Sequence, residues 1–129
     1  MGLHIRLKAG ERIIVGGAVL RNGDTRGDLW IENEVPVLRE CDVLPPGAAN
    51  TPCGRIYLAL QLLYVDPARA ETHRATYHDL TTQVKDVVPS LAAVLAEVDA
   101  DVAADRPYQA LKRARRLLAL EHERFSHVL

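Results

Sequence analysis

Residues 3–40 read LHIRLKAGERIIVGGAVLRNGDTRGDLWIENEVPVLRE, and their pattern decides the fold class. Apolar Leu3, Ile5 and Leu7 alternate with polar residues, and this period of two predicts a strand with one apolar and one basic face. Turn signals recur at residues 9–11, 16–17, 22–24 and 33–34. Between them we predict further strands over residues 12–15, 28–32 and 35–40, with Pro36 at a strand start or on an edge. We therefore predict four or five short strands in an antiparallel sheet or small barrel.

The chain changes character at Pro45-Pro46-Gly47, a breaker that predicts a boundary between a β module, residues 1–46, and a helical module, residues 47–129. Thr51 followed by Pro52 is typical of a helix start. The helix predicted from Pro52 to Val65 is apolar on nearly every side, so we expect it to be buried or to lie in an interface. Three more helices are predicted, from Asp66-Pro67 to Val88, from Pro89 to Ala104 and from Pro107 to Phe125. The predicted fold class is α+β, with about four helices after the β module.

The composition limits the classes of protein to which this chain can belong. The chain has 129 residues, a formal net charge of −1 and a hydrophobic fraction of 48%. The near-neutral charge excludes a protein that coats nucleic acid by charge alone. No signal-peptide pattern opens the chain and no apolar run approaches the ~20 residues of a membrane helix, so we expect a cytoplasmic protein with no membrane partner. In that reducing compartment we expect Cys41 and Cys53 to be small buried residues without a disulfide.

Signatures of catalysis are missing from the sequence. It holds no nucleophile elbow, and residues 10–17 have glycines but neither the lysine of a phosphate loop nor the dinucleotide spacing. His73 and His78 are five residues apart, as are His122 and His127, and about 140° separates such a pair on a helix. Neither pair shares a face for a metal ion, so we expect surface histidines. We predict no enzyme, no metal and no cofactor.

One face of the first strand is basic. His4, Arg6 and Lys8 lie on it, Arg39 belongs to the last strand, and Trp30 lies on the polar side of its own strand. Cations beside an aromatic platform suit single-stranded RNA, because phosphates pair with the cations and bases stack on the ring. The structural alternative is that Trp30 is covered by the following helices and the cations are solvated.

A second basic cluster lies in the last predicted helix. It contains Lys112, Arg113, Arg115 and Arg116. Spacings of three and four residues bring Lys112, Arg115 and Arg116 to one side. The cluster is either a solvated face that pairs with the acidic segment 86–105, or a patch that contacts phosphates or a partner. The core face of the same helix is predicted to hold Leu111, Ala114, Leu117, Leu118 and Phe125.

Several stretches resemble the FlbT family of flagellar regulators. They are Leu7–Arg21, Leu38-Arg39-Glu40, Ala49-Asn50-Thr51-Pro52, Arg55-Ile56-Tyr57 and the Gln61–Pro67 run. The resemblance implies a post-transcriptional regulator that associates with the 5′ untranslated region of flagellin mRNA and affects its translation and decay. It also implies a second flagellar protein, FlaF, which opposes FlbT proteins. The family includes members that act positively, so the sign of regulation stays open.

The β module is also similar in pattern to the CsrA family of RNA-binding translational regulators. Both have a short alternating strand, a Gly-Glu turn, an apolar strand and a final Val-x-Arg-Glu-like motif, here Val37-Leu38-Arg39-Glu40. This resemblance implies an intertwined homodimer whose RNA site includes His4, Arg6 and Arg39. Leu38 departs from the polar residue usual in that family, and a long helical tail replaces its single short helix.

Two hypotheses follow. The first is an RNA-binding regulator, a homodimer, whose site holds His4, Arg6, Lys8, Trp30 and Arg39 and whose partner is the flagellin mRNA 5′ leader. The second is a protein-interaction module that binds FlaF or flagellin through its helices, with an indirect effect on mRNA. The apolar helix 52–65 and the basic helix 107–125 favour the second.

Overall fold

Two units make up the chain. A computed structural model describes residues 2–44, 47 and 49–126, with side chains to residue 123. The chain divides into Met1–Val43 and Leu44–Leu129. The breaker at Pro45-Pro46 lies outside the described residues, so its role as the module boundary stays a prediction. Strands are confined to the first unit and α-helices to the second, which confirms the α+β class.

The first unit contains five strands in two small antiparallel sheets. The strands are β1 Leu3–Leu7, β2 Arg12–Val15, β3 Ala18–Arg21, β4 Gly27–Ile31 and β5 Val37–Arg39. Strands β1 and β4 form one sheet, and the other has the order β3-β2-β5. Only the β2–β3 hairpin joins neighbours in sequence; its turn uses Gly16 and Gly17 at φ of 56° and 88°, where a side chain would be strained. The expectation of one sheet or a barrel is replaced by two sheets.

The core of this unit is small. It consists of Ile5, Leu7 and Ile13, against which Val15, Leu29, Ile31 and Val37 pack. The period of two in β1 correctly placed Ile5 and Leu7 inside. Leu3 departs from it: this side chain is 49% exposed, because Leu3 and its partner Ile31 end the ladder.

Strand β5 is shorter than predicted. The predicted strand covered residues 35–40, whereas the ladder with β2 covers Val37–Arg39. Pro36 has no N–H to donate, and its carbonyl accepts from the N–H of Gly16. A 3₁₀ turn, Glu40–Asp42, follows directly and ends the strand.

The second unit contains four helices, as the sequence predicts. They are α1 Pro52–Val65, α2 Ala70–Val87, α3 Ala92–Ala103 and α4 Pro107–Ser126. Thr51 is the N-cap of α1, with its side-chain oxygen accepting from the N–H of Gly54 at 3.0 Å. The predicted starts at Pro67 and Pro89 are single 3₁₀ turns, Pro67–Arg69 and Pro89–Leu91, that lead into α2 and α3.

Helix α4 buries the predicted stripe. Leu111, Ala114 and Leu117 are at most 1% exposed, and Leu118 is half-buried. The side chain of Phe125 lies outside the described part of the chain. Helix α1 buries Ile56 and Leu60 completely but leaves Leu62 38% exposed. Among the described residues, no helix has both the length and the apolarity needed to cross a membrane.

A buried carboxylate joins α4 to the start of α1. Glu121 accepts from the backbone N–H of Cys53 at 2.9 Å and is 9% exposed. The first N–H groups of a helix have no partner within it, and a carboxylate there also interacts favourably with the helix dipole. Burial, and then Glu121, raise the pKa of the Cys53 thiol to about 12, so this cysteine stays protonated.

Candidate nucleic-acid interface

A cleft opens in the β unit between two turns and the end of β5. It has a volume of about 880 Å³. The turns are those between β1 and β2 and between β3 and β4. Four cations line the cleft, namely Arg6, Lys8, Arg26 and Arg39, together with three acids, Glu11, Asp28 and Glu40. The sequence predicted three of the four cations.

Arg39 is anchored at the inner part of this site. Its Nη2 donates to the carbonyl of Arg6 at 2.7 Å and to Oε2 of Glu11 at 3.2 Å. Oε1 of Glu11 accepts from the backbone N–H of Lys8 at 2.8 Å. The hydrogen bond from the Lys8 N–H is the largest effect and holds the pKa of the Glu11 carboxyl below its ordinary value. Burial opposes it, and the hydrogen bond and charge of Arg39 add to the lowering. The guanidinium therefore ties β5 to the β1–β2 turn while 42% of the side chain stays exposed.

Strands β1 and β4 present the aromatic platform. In their antiparallel register His4 lies opposite Trp30, and Arg6 lies opposite Asp28. The imidazole and indole rings stack, with centroids 4.7 Å apart and an angle of 11° between planes. Trp30 is 62% exposed.

Asp28 holds this platform next to the cleft. Its Oδ1 lies 2.8 Å from Nε2 of His4 and 3.7 Å from Nε of Arg6. The Arg6 side chain is 86% exposed, and an exposed pair at that distance contributes little stability. Because Arg6 and Asp28 also line the cleft, platform and cleft form one continuous surface, which we call the basic cleft.

Arg26 is the cation that the sequence did not reveal. It precedes Gly27, which lies opposite Leu7 in the ladder, so Arg26 lies close to Lys8 across the two turns. The amide of Asn22 fixes the turns by donating to the carbonyls of Lys8 and Thr25 at 2.8 and 2.9 Å. In the sequence, residues 22–26 indicated only a turn. The Asn-Gly pair predicts the turn that precedes Arg26. It would have placed Arg26 beside Lys8 only if the pairing of β1 with β4 had been known.

The basic cluster of α4 divides in two. Arg113 donates to Asp101 at 2.5 Å and lies 3.7 Å from Glu97, as the alternative of pairing with the acidic segment predicts. Lys112 lies over the ring of Tyr108, 5.3 Å from its centroid. Arg115 and Arg116 are exposed. Arg113 therefore serves the contact between α3 and α4, and the patch is narrower than predicted.

Two expectations about single residues are wrong. Cys41 is exposed and lines the basic cleft, because it follows β5 in the 3₁₀ turn; only Cys53 is buried. His73 is not a surface residue: its side chain is 13% exposed, and Nε2 lies 2.9 Å from Oδ2 of Asp66, where it closes the connection between α1 and α2. His127 lies outside the described residues. Within the described ranges no group of His, Cys, Asp and Glu is arranged to hold a metal ion.

The fold and the basic cleft define a class of small α+β protein with a cationic recognition surface on its β unit. The family model described as "Flagellar protein FlbT" matches residues 3–125. The chain belongs to this family, which confirms the resemblance seen in the sequence. No finding supports the CsrA resemblance, and no solved structure matches the chain.

Relatives match over nearly the whole chain. The probable flagellum biosynthesis repressor protein FlbT 1 of Bradyrhizobium diazoefficiens is 42% identical over 124 residues, covering 95% of this chain and 84% of the relative. The probable repressor FlbT of Caulobacter sp. strain K31 is 36% identical and covers 99% of both chains. The flagellum biosynthesis repressor protein FlbT of Caulobacter vibrioides is 34% identical, over 99% of this chain and 92% of its own.

Proposed function

We propose that this protein is a cytoplasmic post-transcriptional regulator of flagellin synthesis that binds the 5′ untranslated region of flagellin mRNA through the basic cleft. The observation that carries the proposal is the continuity of four cations with an exposed His4–Trp30 stack. The names of the relatives, flagellum biosynthesis repressors, support a regulatory role in flagellar synthesis. Those names also favour repression as the sign of its effect.

The side chains of the basic cleft are suited to different parts of the RNA. Arg6, Lys8 and Arg26 are exposed on the rim, so they are suited to phosphates. The exposed face of Trp30, with His4 behind it, is suited to stack on an unpaired base. Arg39 is held in a fixed orientation by Glu11, which suits a group that reads a base edge. No bond in the RNA is broken, so translation and decay would change because ribosomes are blocked or nucleases gain access.

We propose further that the protein acts as a homodimer through its β unit. Strand β3 forms an open edge of its sheet and is exposed along its length, with Val19 at 67% and Leu20 at 42%. An apolar, unpaired edge is a template for association with another strand. Light scattering should give twice the chain mass, and Val19→Lys should give the mass of one chain.

The test of RNA binding compares paired variants on a labelled flagellin leader. Lys8→Ala with Arg26→Ala removes two rim cations, and Trp30→Ala removes the platform. The matched control is Arg69→Ala, an exposed arginine in the 3₁₀ turn before α2 that belongs neither to the cleft nor to β3. Removing the platform should cost about 1–3 kcal/mol of binding free energy, a loss of affinity of roughly 5- to 150-fold.

Two results would count against the proposal. Binding that survives both cleft changes would remove the basic cleft from the RNA site. No binding by the folded wild-type protein would favour the alternative, in which the helices dock FlaF or flagellin. The salt dependence of binding distinguishes RNA binding from docking of a protein partner, because phosphate contacts weaken steeply as the salt concentration rises and an apolar contact does not.

A further inference from the structure

An apolar groove lies between the first two helices of the second unit. Asp66 at the end of α1 contacts His73 on α2, so the helices run antiparallel from that connection. At their other end they enclose a groove of about 150 Å³. We call it the α1–α2 groove; its lining includes Pro52, Leu80, Val84, Val87, Val88 and the cation Arg55.

Further apolar side chains that are exposed or half-buried lie in the groove and on the Arg55 face of α1. Val87 is 79% exposed, the largest exposure of any large apolar side chain among the described residues. On α1, Leu58 and Leu62 follow Arg55 at spacings of three and four residues, which places all three on one face. Leu62 is 38% exposed and Leu58 is half-buried. Single exposed apolar residues are common, but an apolar groove with an exposed valine in its lining and further apolar side chains on the same helix face is typical of an interaction site.

Arg55 distinguishes this groove from an ordinary packing defect. Arg74, Arg106 and Arg113 each have a carboxylate oxygen within 4 Å, at 3.9, 3.9 and 2.5 Å. Arg55 is exposed and makes no ion pair with any residue that the structure describes. The groove therefore offers an apolar floor with one uncompensated positive charge at its rim. Its complement is an apolar surface with a carboxylate at the matching edge.

We propose that the α1–α2 groove binds an amphipathic helix of a partner protein, with a carboxylate of that helix on Arg55. A helix is favoured over an extended segment because α1 and α2 satisfy their own backbone groups and present no strand edge to pair with. A third helix brings its own backbone bonds, and its side chains at i, i+3 or i+4 and i+7 fill the space between two packed helices. This docking is independent of RNA binding at the basic cleft.

The probe is a synthetic helix of about 18 residues, five turns long, with leucines at i, i+3 and i+7 and glutamates along one flank. A second probe replaces those glutamates by lysines. Both are titrated into the full chain while methyl NMR signals of Leu58, Leu80 and Val87 are followed. The glutamate helix should shift these signals and bind at least about tenfold more tightly than the lysine helix.

Variants locate the contact. Val87→Glu places a charge on an exposed groove position, and Arg55→Glu reverses the rim charge; each should weaken the glutamate helix about tenfold. Arg55→Glu should in turn prefer the lysine helix. The matched control is Arg69→Glu, the same change at an exposed arginine at the opposite end of the α1–α2 pair, which should leave both affinities unchanged.

The decisive outcome is the exchange of preference. If Arg55→Glu selects the lysine helix, the groove and its charge rule are supported. The proposal is overturned if the folded wild-type chain binds neither helix, if both variants bind as the wild type does, or if the methyl signals shift on simple concentration. The last result would assign the groove to a second copy of the chain.

Discussion

The salt dependence of RNA binding gives the sharpest prediction for the basic cleft. Three cations on its rim, Arg6, Lys8 and Arg26, are exposed and available for phosphates. Each phosphate contact on single-stranded RNA contributes about −0.7 to the slope of log K against log salt. Three contacts per cleft predict a slope of about −2.1. Raising salt from about 50 to about 200 mM should then weaken binding by roughly 20-fold.

Removing two of the three contacts has a calculable effect. The double variant Lys8→Ala, Arg26→Ala should keep a slope of about −0.7 and weaken only about 2.5-fold over the same salt range. Arg39→Ala acts differently, because this residue is anchored to Glu11 and to the carbonyl of Arg6. It should lower affinity at every salt concentration and change the slope less than the double variant does.

Fluorescence anisotropy on a labelled flagellin leader measures these slopes, with Arg69→Ala as the control for a lost surface charge. A double variant that binds more weakly but keeps the wild-type slope would refute the reasoning, since Lys8 and Arg26 would then act on the shape of the cleft and not on phosphates. An equal fall in slope for Arg69→Ala would show that RNA binding responds to the charge of the whole chain and not to the basic cleft.

Three predictions concern stability. Glu121→Ala should lower the free energy of unfolding, measured in urea, by about 1–3 kcal/mol, because the buried N–H of Cys53 loses its hydrogen-bond acceptor. Glu121→Gln keeps an acceptor and should lower it less. The pKa of the Glu11 carboxyl is held below its ordinary value of 4.5, chiefly by the hydrogen bond from the Lys8 N–H. The ionised carboxylate therefore stabilises the fold above pH 4.5, and this contribution is lost as the pH falls through the lowered pKa. The difference in stability between wild type and Glu11→Gln, read from NMR signals of the β unit, should persist at neutral pH and vanish in acid. Leu60→Ala, at a position with no exposure, should destabilise the helical unit by about 2–5 kcal/mol in the same urea assay.

Local signals in the sequence were sufficient for the helices. The bounds of α1, Pro52–Val65, agree with the prediction because Thr51 and Pro52 cap the helix within one turn and Asp66-Pro67 ends it. The buried stripe of α4 follows from helical spacing alone. The same reasoning placed Ile5 and Leu7 inside, because alternation along a strand is read from neighbouring residues.

The candidate site was predicted in part. Three of its residues, His4, Arg6 and Trp30, lie on exposed strand positions that alternation identifies, and exposed Lys8 follows directly after β1. Arg39 lies in the cleft too, but its role as an anchor on Glu11 was not foreseen, since the two are 28 residues apart. That separation is why a sequence pattern carries no signal for the pair.

The sequence by itself thus determined the kind of elements, the number of α-helices, the Thr51 cap of α1 and the faces that most strands and helices present. These depend on contacts within a few residues, where propensity, capping and periodicity act. Only the tertiary structure decided which strands pair, which cation joins the cleft and which carboxylate caps α1. Those choices rest on contacts such as His4 with Asp28, 24 residues apart, and Cys53 with Glu121, 68 apart. Such contacts form only when distant segments of the chain come together in the folded state. Their contribution to stability therefore depends on the whole fold and cannot be read from any single segment.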